Sequence, residues 1–150
     1  MANVVPAEAV ADIDIRCLPG QDGADGANYL HKALRLGLAD TVKVETLLAD
    51  DATASPPDGL LWSAMADACE EITGSRRLIP TIMPGATDAR HFRRRGTVAY
   101  GAALFDPTLG FGEAVASAHS VDEKISERSL GLTGAFLEAT VRRFGERSLA

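Results

Sequence analysis

The residues with the most chemical potential in this chain lie in the stretch Ser117 to Ser126, SAHSVDEKIS, where His119 precedes Glu123 by four positions with Asp122 between them. An imidazole with carboxylates close behind it, just ahead of a helix, suits a metal ligand with an orienting partner. The same spacing also suits an exposed polar residue in a loop. Upstream, the run from Pro84 to Phe92, PGATDARHF, sets a turn, a hydroxyl, a carboxylate and a guanidinium side by side. Asp88 there could support a site or simply cap the helix that follows the Pro-Gly turn. Arg16 could clamp a carboxylate bidentately, or it could be one more solvated arginine on a polar strand face. His31 and His91 fall in helical stretches, as surface or packing residues. Cys17 and Cys69 lack CxxC spacing and read as small buried hydrophobes.

These residues need a scaffold, and the composition supplies one. With 150 residues, 46% hydrophobic and 24% charged, the chain matches ordinary globular usage and suffices for one domain or two very small ones. A net charge of −6, with basic clusters only at Arg93-Arg94-Arg95 and Arg142-Arg143, gives no field for polyanions, so no nucleic-acid partner is expected. No apolar run approaches the ~20 residues of a membrane span, and the N-terminus lacks a basic segment followed by a hydrophobic one. The expectation is a cytoplasmic protein that does not engage a membrane.

The hydrophobic pattern predicts an α/β (α+β) fold. Ala9 to Cys17 alternates as a half-buried strand, and the Gly/Asp-rich run to Gly26 breaks it. Tyr29, Leu30, Ala33, Leu34 and Leu36 mark a short helix ending near Gly37, and Val42 to Leu48 resumes a strand period. Strand, crossover helix and strand imply a right-handed parallel unit. Asp50 to Asp58 reads as a hinge, dividing the chain into 1–54 and 55–150. Beyond it, Leu61, Ala64, Met65, Ala68 and Ile72 predict an amphipathic helix stopped at Gly74. Leu78 to Met83 and Thr97 to Leu104 read as strands on either side of a short helix from Asp88 to Arg95. A loop from Asp106 to Ala118 delivers the chain to His119. A long closing helix, capped by Ser126, is expected to pack through Leu130, Gly134, Leu137, Val141 and Phe144.

Taken together, NVVPAEAVADIDIRCLPG near the start, PGATDARHF with AYG downstream, and HSVDEKIS before the last helix resemble the C-terminal part of the aminoacylase/carboxypeptidase-like zinc metallopeptidases, the M-twenty peptidase family. The resemblance covers nearly the whole chain, with three motifs in the right order. It implies a strand-helix-strand half of a ferredoxin-like lid and dimerisation domain, followed by a small α/β layer of the catalytic domain that ends in a long helix. It implies that His119 is a zinc ligand supported by Asp122 and Glu123, and that Asn3 and Arg16 reach substrate, Arg16 at its carboxylate. Gly85, Ala86 and Thr87 match the substrate-contacting loop usually written GGTD, with Asp88 and Arg90 as its supports, and Ala86 replaces the second glycine.

In such enzymes two zinc ions serve the hydrolysis of peptides or N-acyl amino acids. The HxD segment, the Glu-Glu pair with the general base, and a further carboxylate ligand belong to a preceding part that these residues do not supply. No catalytic residue is therefore expected here, zinc is expected to be held weakly, by one site at most, and the isolated chain is expected to be inactive. A homo-oligomer through the lid-like segment is expected. The other open reading is a non-catalytic dimerisation or interaction module derived from the same family.

Overall fold

The computed structural model describes residues 5–34, 41–110, 112, 118 and 121–149. Among them run four helices: α1 (Gly23–Leu34), α2 (Gly59–Thr73), α3 (Ala89–Arg93) and α4 (Glu127–Ser148). The expected α/β (α+β) architecture does not form, since no β-strand occurs among the described residues. An alternating segment becomes a strand only when a neighbouring segment takes up its backbone N–H and C=O groups. The residues from 9 to 17 and from 42 to 48 have no such ladder and stay irregular, with a bend at Leu47, and Val10, Ile13, Leu47 and Leu48 stay exposed.

The chain divides into two compact units, one of Met1–Ala54 with Pro84–Arg90, the other of Ser55–Met83 with His91–Ala150. The first is organised by α1, which starts well before the apolar face that the sequence pattern marks. Asp22 and Asp25 explain the early start. The Asp25 N–H donates to Asp22 Oδ1 at 3.0 Å, and the Asp22 N–H donates to Asp25 Oδ2 at 3.1 Å. This reciprocal pairing satisfies two amides that would otherwise be orphaned at a helix start, so residues that resemble a helix breaker open a helix instead. Gly26 is buried beneath Ile15 and Cys17, and a Cβ there would meet Cys17 Sγ at 3.4 Å.

The second unit has a helix-on-helix core. Met65, Ala68 and Cys69 of α2 pack against Phe136 and Ala139 of α4, with Leu61, Ile72, Leu78, Tyr100, Ala102 and Leu104 around them. α2 ends as its sequence predicts: Gly74 takes a left-handed φ of 75°, and its N–H donates to Glu70 O at 2.8 Å. α4 begins at Ser126, whose hydroxyl oxygen accepts from the Ser129 N–H at 3.0 Å. The face that α4 buries differs from the expected one. Ser129, Phe136, Ala139 and Thr140 turn inward, while Leu130, Leu137, Val141 and Phe144 are exposed. Two faces of this helix carry apolar residues, and periodicity alone does not rank them; packing against α2 selects the face whose small residues let the helices approach.

Thr97 to Phe105 keeps the period of a strand without becoming one. Tyr100, Ala102 and Leu104 turn toward the helices while Gly101, Ala103 and Phe105 face out. Side chains replace the ladder: Leu104 N–H donates to Thr133 Oγ1 at 3.1 Å, the Thr133 hydroxyl returns a bond to Leu104 O at 2.9 Å, and Asp106 N–H donates to Ser129 Oγ at 2.9 Å. The two polar residues of α4 therefore serve as anchors for an extended segment.

Candidate functional site

Arg16 lies on the irregular segment before α1, where its guanidinium is ion-paired with Asp14, two residues away. Both side chains are more than half exposed, so the pair adds little stability and keeps the guanidinium accessible. Arg16 also lines a concavity of about 260 Å³ with Ile15, Cys17, Gln21, Asp25, Gly26 and Tyr29. That is just under the ~300 Å³ at which ligand pockets usually begin, enough for a small group and too little for a peptide. Gln21 and Asp25 escaped the sequence reading because the stretch around them resembled a chain break rather than the opening turns of α1, and Tyr29 was read only as part of the helix's apolar face. Cys17 is partly exposed at this groove and donates through Sγ to Asp22 O at 3.3 Å, while Cys69 is buried in the core of the other unit.

In the same unit, Gly85, Ala86 and Thr87 form an exposed loop that leads into α3. The Arg90 N–H donates to Thr87 O at 3.2 Å and closes the turn around Asp88. Among the described residues the Asp88 side chain has no hydrogen bond or ion pair, so the capping role open to it from sequence is not taken up there. Arg90 reaches across forty positions to Asp50, Nη1 to Oδ2 at 2.9 Å, with both side chains about one-third exposed. Asp50 belongs to the stretch read as a hinge, and only the folded chain shows that it holds the far end of the loop.

Asp122 and Glu123 lie in and just after an exposed turn before α4, and among the described residues their side chains make no ion pair or hydrogen bond. His119 and Asn3 lie outside the described residues. His31 is exposed in the last turn of α1, and His91 is exposed on α3. Among the described residues, no group of three or more His, Cys, Asp or Glu side chains could hold a metal ion. The described donors thus do not fit a metal centre.

Charge elsewhere in the second unit is arranged to join helices. Glu71 of α2 accepts from Arg142 Nη2 at 2.6 Å and Arg143 Nη2 at 2.8 Å, both from α4. The Arg143 bond, with help from Arg142, holds the Glu71 carboxyl below the usual range. Arg147 of α4 binds Asp67 of α2 through Nε at 2.8 Å, and Arg76 pairs with the same carboxylate. Tyr100 donates to Pro56 O at 2.6 Å and meets Trp62 edge to face at 5.5 Å; burial, then the Asp58 charge, pushes its phenol up. These groups are engaged with structural partners.

A sequence profile of Peptidase family M20/M25/M40 matches residues 4–143, nearly the full length. The chain belongs to this peptidase family. No curated protein and no solved structure matches it. Membership makes the chain part of a peptidase and amidohydrolase lineage that is typically metal-dependent. Within that lineage the described residues contribute an accessible guanidinium at Arg16 and an exposed loop at 85–87 tied down through Arg90.

Proposed function

We propose that this chain is the C-terminal part of a zinc-dependent hydrolase that cleaves the amide bond of a peptide or N-acyl amino acid. The observation that carries the reading is the family match over residues 4–143, which takes in the Arg16, 85–90 and 119–123 motifs together. Arg16 would receive the substrate carboxylate by exchanging Asp14 for it, one carboxylate replacing another on a guanidinium already held in the open. The backbone of Gly85 and Ala86 would contact the scissile region, with Arg90 and Asp50 holding the loop. Asn3 would also reach substrate. His119 would hold a zinc ion, with Asp122 and Glu123 behind it. The general base and the other ligands would come from sequence outside these 150 residues, so the chain alone is inactive.

Calorimetric titration with zinc, run beside an N-acyl amino acid hydrolysis assay, tests this. The expected result is at most one weakly bound ion and no turnover. Two tightly held ions with turnover would overturn it.

A second reading, a non-catalytic interaction module that pairs through its lid-like segment, draws on the exposed Val10, Ile13, Leu47 and Leu48 of the first unit. Substitution of Ile13 and Leu48 by Asp should then abolish self-association in light scattering. Unchanged association would remove that reading.

A further inference from the structure

The groove beside Arg16 has two features that the hydrolytic reading does not use. The first is its lining. At Gly26 a Cβ would meet Cys17 Sγ at 3.4 Å and Ile15 Cγ2 at 3.5 Å, so α1 lies close against these two side chains and the hollow of about 260 Å³ is left beside them. Ile15, Cys17 and Tyr29 give it apolar walls, and Tyr29 is 72% exposed. Asp25 lines the same groove. Its Oδ2 accepts from the Asp22 N–H at 3.1 Å, and among the described residues its Oδ1 accepts no hydrogen bond. The second feature is the balance of charge. From Glu8 to Leu30, five carboxylates (Glu8, Asp12, Asp14, Asp22 and Asp25) accompany one lysine or arginine, Arg16. Asp14 already pairs with that guanidinium. A substrate carboxylate that takes the place of Asp14 therefore leaves Asp14 and Asp25 without a cation, a deficit that a positive charge on the ligand offsets.

Resting on the reading that Arg16 receives the substrate carboxylate, we propose that the carboxylate-bearing residue of the substrate has a cationic side chain of the lysine or arginine type. Its alkyl stem lies along Ile15, Cys17 and Tyr29, and its charged end meets Asp25 Oδ1. Apolar walls suit the methylenes, and a carboxylate suits the head. A glutamate-type side chain would add one more negative charge beside Asp14 and Asp25 and is selected against. The hollow has room for one side chain rather than for a length of peptide. The hydrolytic reading places the rest of the active site outside these 150 residues, and it still requires substrate to reach Arg16 and the groove that Arg16 lines.

Binding to the chain tests this without any turnover. NMR titrations at low salt with Nα-acetyl-lysine, with Nα-acetyl-norleucine, which has the same stem without the ammonium, and with Nα-acetyl-glutamate should rank the three in that order. The lysine ligand should bind about threefold tighter than norleucine, as an exposed ion pair allows, and the gap should close as salt is added. Asp25→Asn keeps an acceptor for the Asp22 N–H and should erase the preference for lysine over norleucine, with circular dichroism confirming that helicity is retained. A wild-type chain that binds lysine no better than norleucine overturns the proposal, and so does a preference that survives Asp25→Asn. Arg16→Gln separates this inference from the reading beneath it. If that variant loses norleucine binding while the wild type shows no preference for lysine, the carboxylate reading stands and the cationic side chain alone falls. If Arg16→Gln binds norleucine as the wild type does, or if no ligand binds the wild type, both fall.

Discussion

The two units of this chain hold comparable apolar residues and use them in opposite ways. Ser55–Met83 with His91–Ala150 buries Met65, Cys69 and Phe136 between two long helices, then fastens those helices with Arg142, Arg143 and Arg147 on Glu71 and Asp67. Met1–Ala54 with Pro84–Arg90 has one described helix, buries Gly26, and leaves Val10, Ile13, Leu47 and Leu48 in solvent. The difference shows what helices provide that extended segments do not. A helix satisfies its own backbone and needs only a face to pack, whereas an extended segment needs a neighbour for every amide. The segment at 97–106 marks the boundary between the cases: Thr133 and Ser129 take up the backbone N–H groups of Leu104 and Asp106 in place of a neighbouring strand.

The contrast is broken most sharply at Phe136, which is 1% exposed. Phe136→Ala should cost about 3–5 kcal/mol in urea unfolding followed by circular dichroism, whereas Ile13→Ala in the first unit should change stability by less than about 0.5 kcal/mol. A large loss at Ile13 would mean that the first unit has a core of its own. Helix starts offer a second, smaller comparison. Ser126→Ala removes the cap of α4 and should cost about 1 kcal/mol of global stability. Asp22→Ala breaks the reciprocal pair at α1, and its effect should stay local, read as faster amide exchange in residues 23–28 with the global transition unmoved.

The smallest expected effect is electrostatic. Arg143, and then Arg142, lower the pKa of Glu71 from its ordinary 4.5, so the folded state binds that proton less readily than the unfolded chain. The stabilisation is therefore complete above the ordinary value and fades as pH falls through the lowered one. Glu71→Gln should flatten that part of the acid limb, and added salt should do the same in the wild type, because the pair is exposed and screened.

How legible all this was in the sequence varies by element. Leu61, Ala64, Met65, Ala68 and Ile72 announced α2, and Gly74 its end, because a helix with one apolar face and a left-handed stop is written in consecutive residues. The Ser126 cap was legible for the same reason. The run from Pro19 to Gly26 misled, since aspartates and glycines belong to turns and to helix starts alike, and only the Asp22–Asp25 exchange distinguishes them. Family membership was readable from three motifs in order. The partner of Arg90 was not, because Asp50 lies forty residues away and carries no local mark of its role.

By itself the sequence determined which segments would be helical, where α2 stops and α4 begins, and which lineage of hydrolases the chain joins. Each of those rests on residues within a few positions of one another. Only the tertiary structure decided which face of α4 goes inward, that the alternating segments do not pair into a sheet, and that Glu71 and Asp67 are held by arginines some seventy to eighty residues later. Such choices depend on which distant surface arrives opposite. A periodic pattern states that a face is apolar, and packing alone selects which apolar face is used.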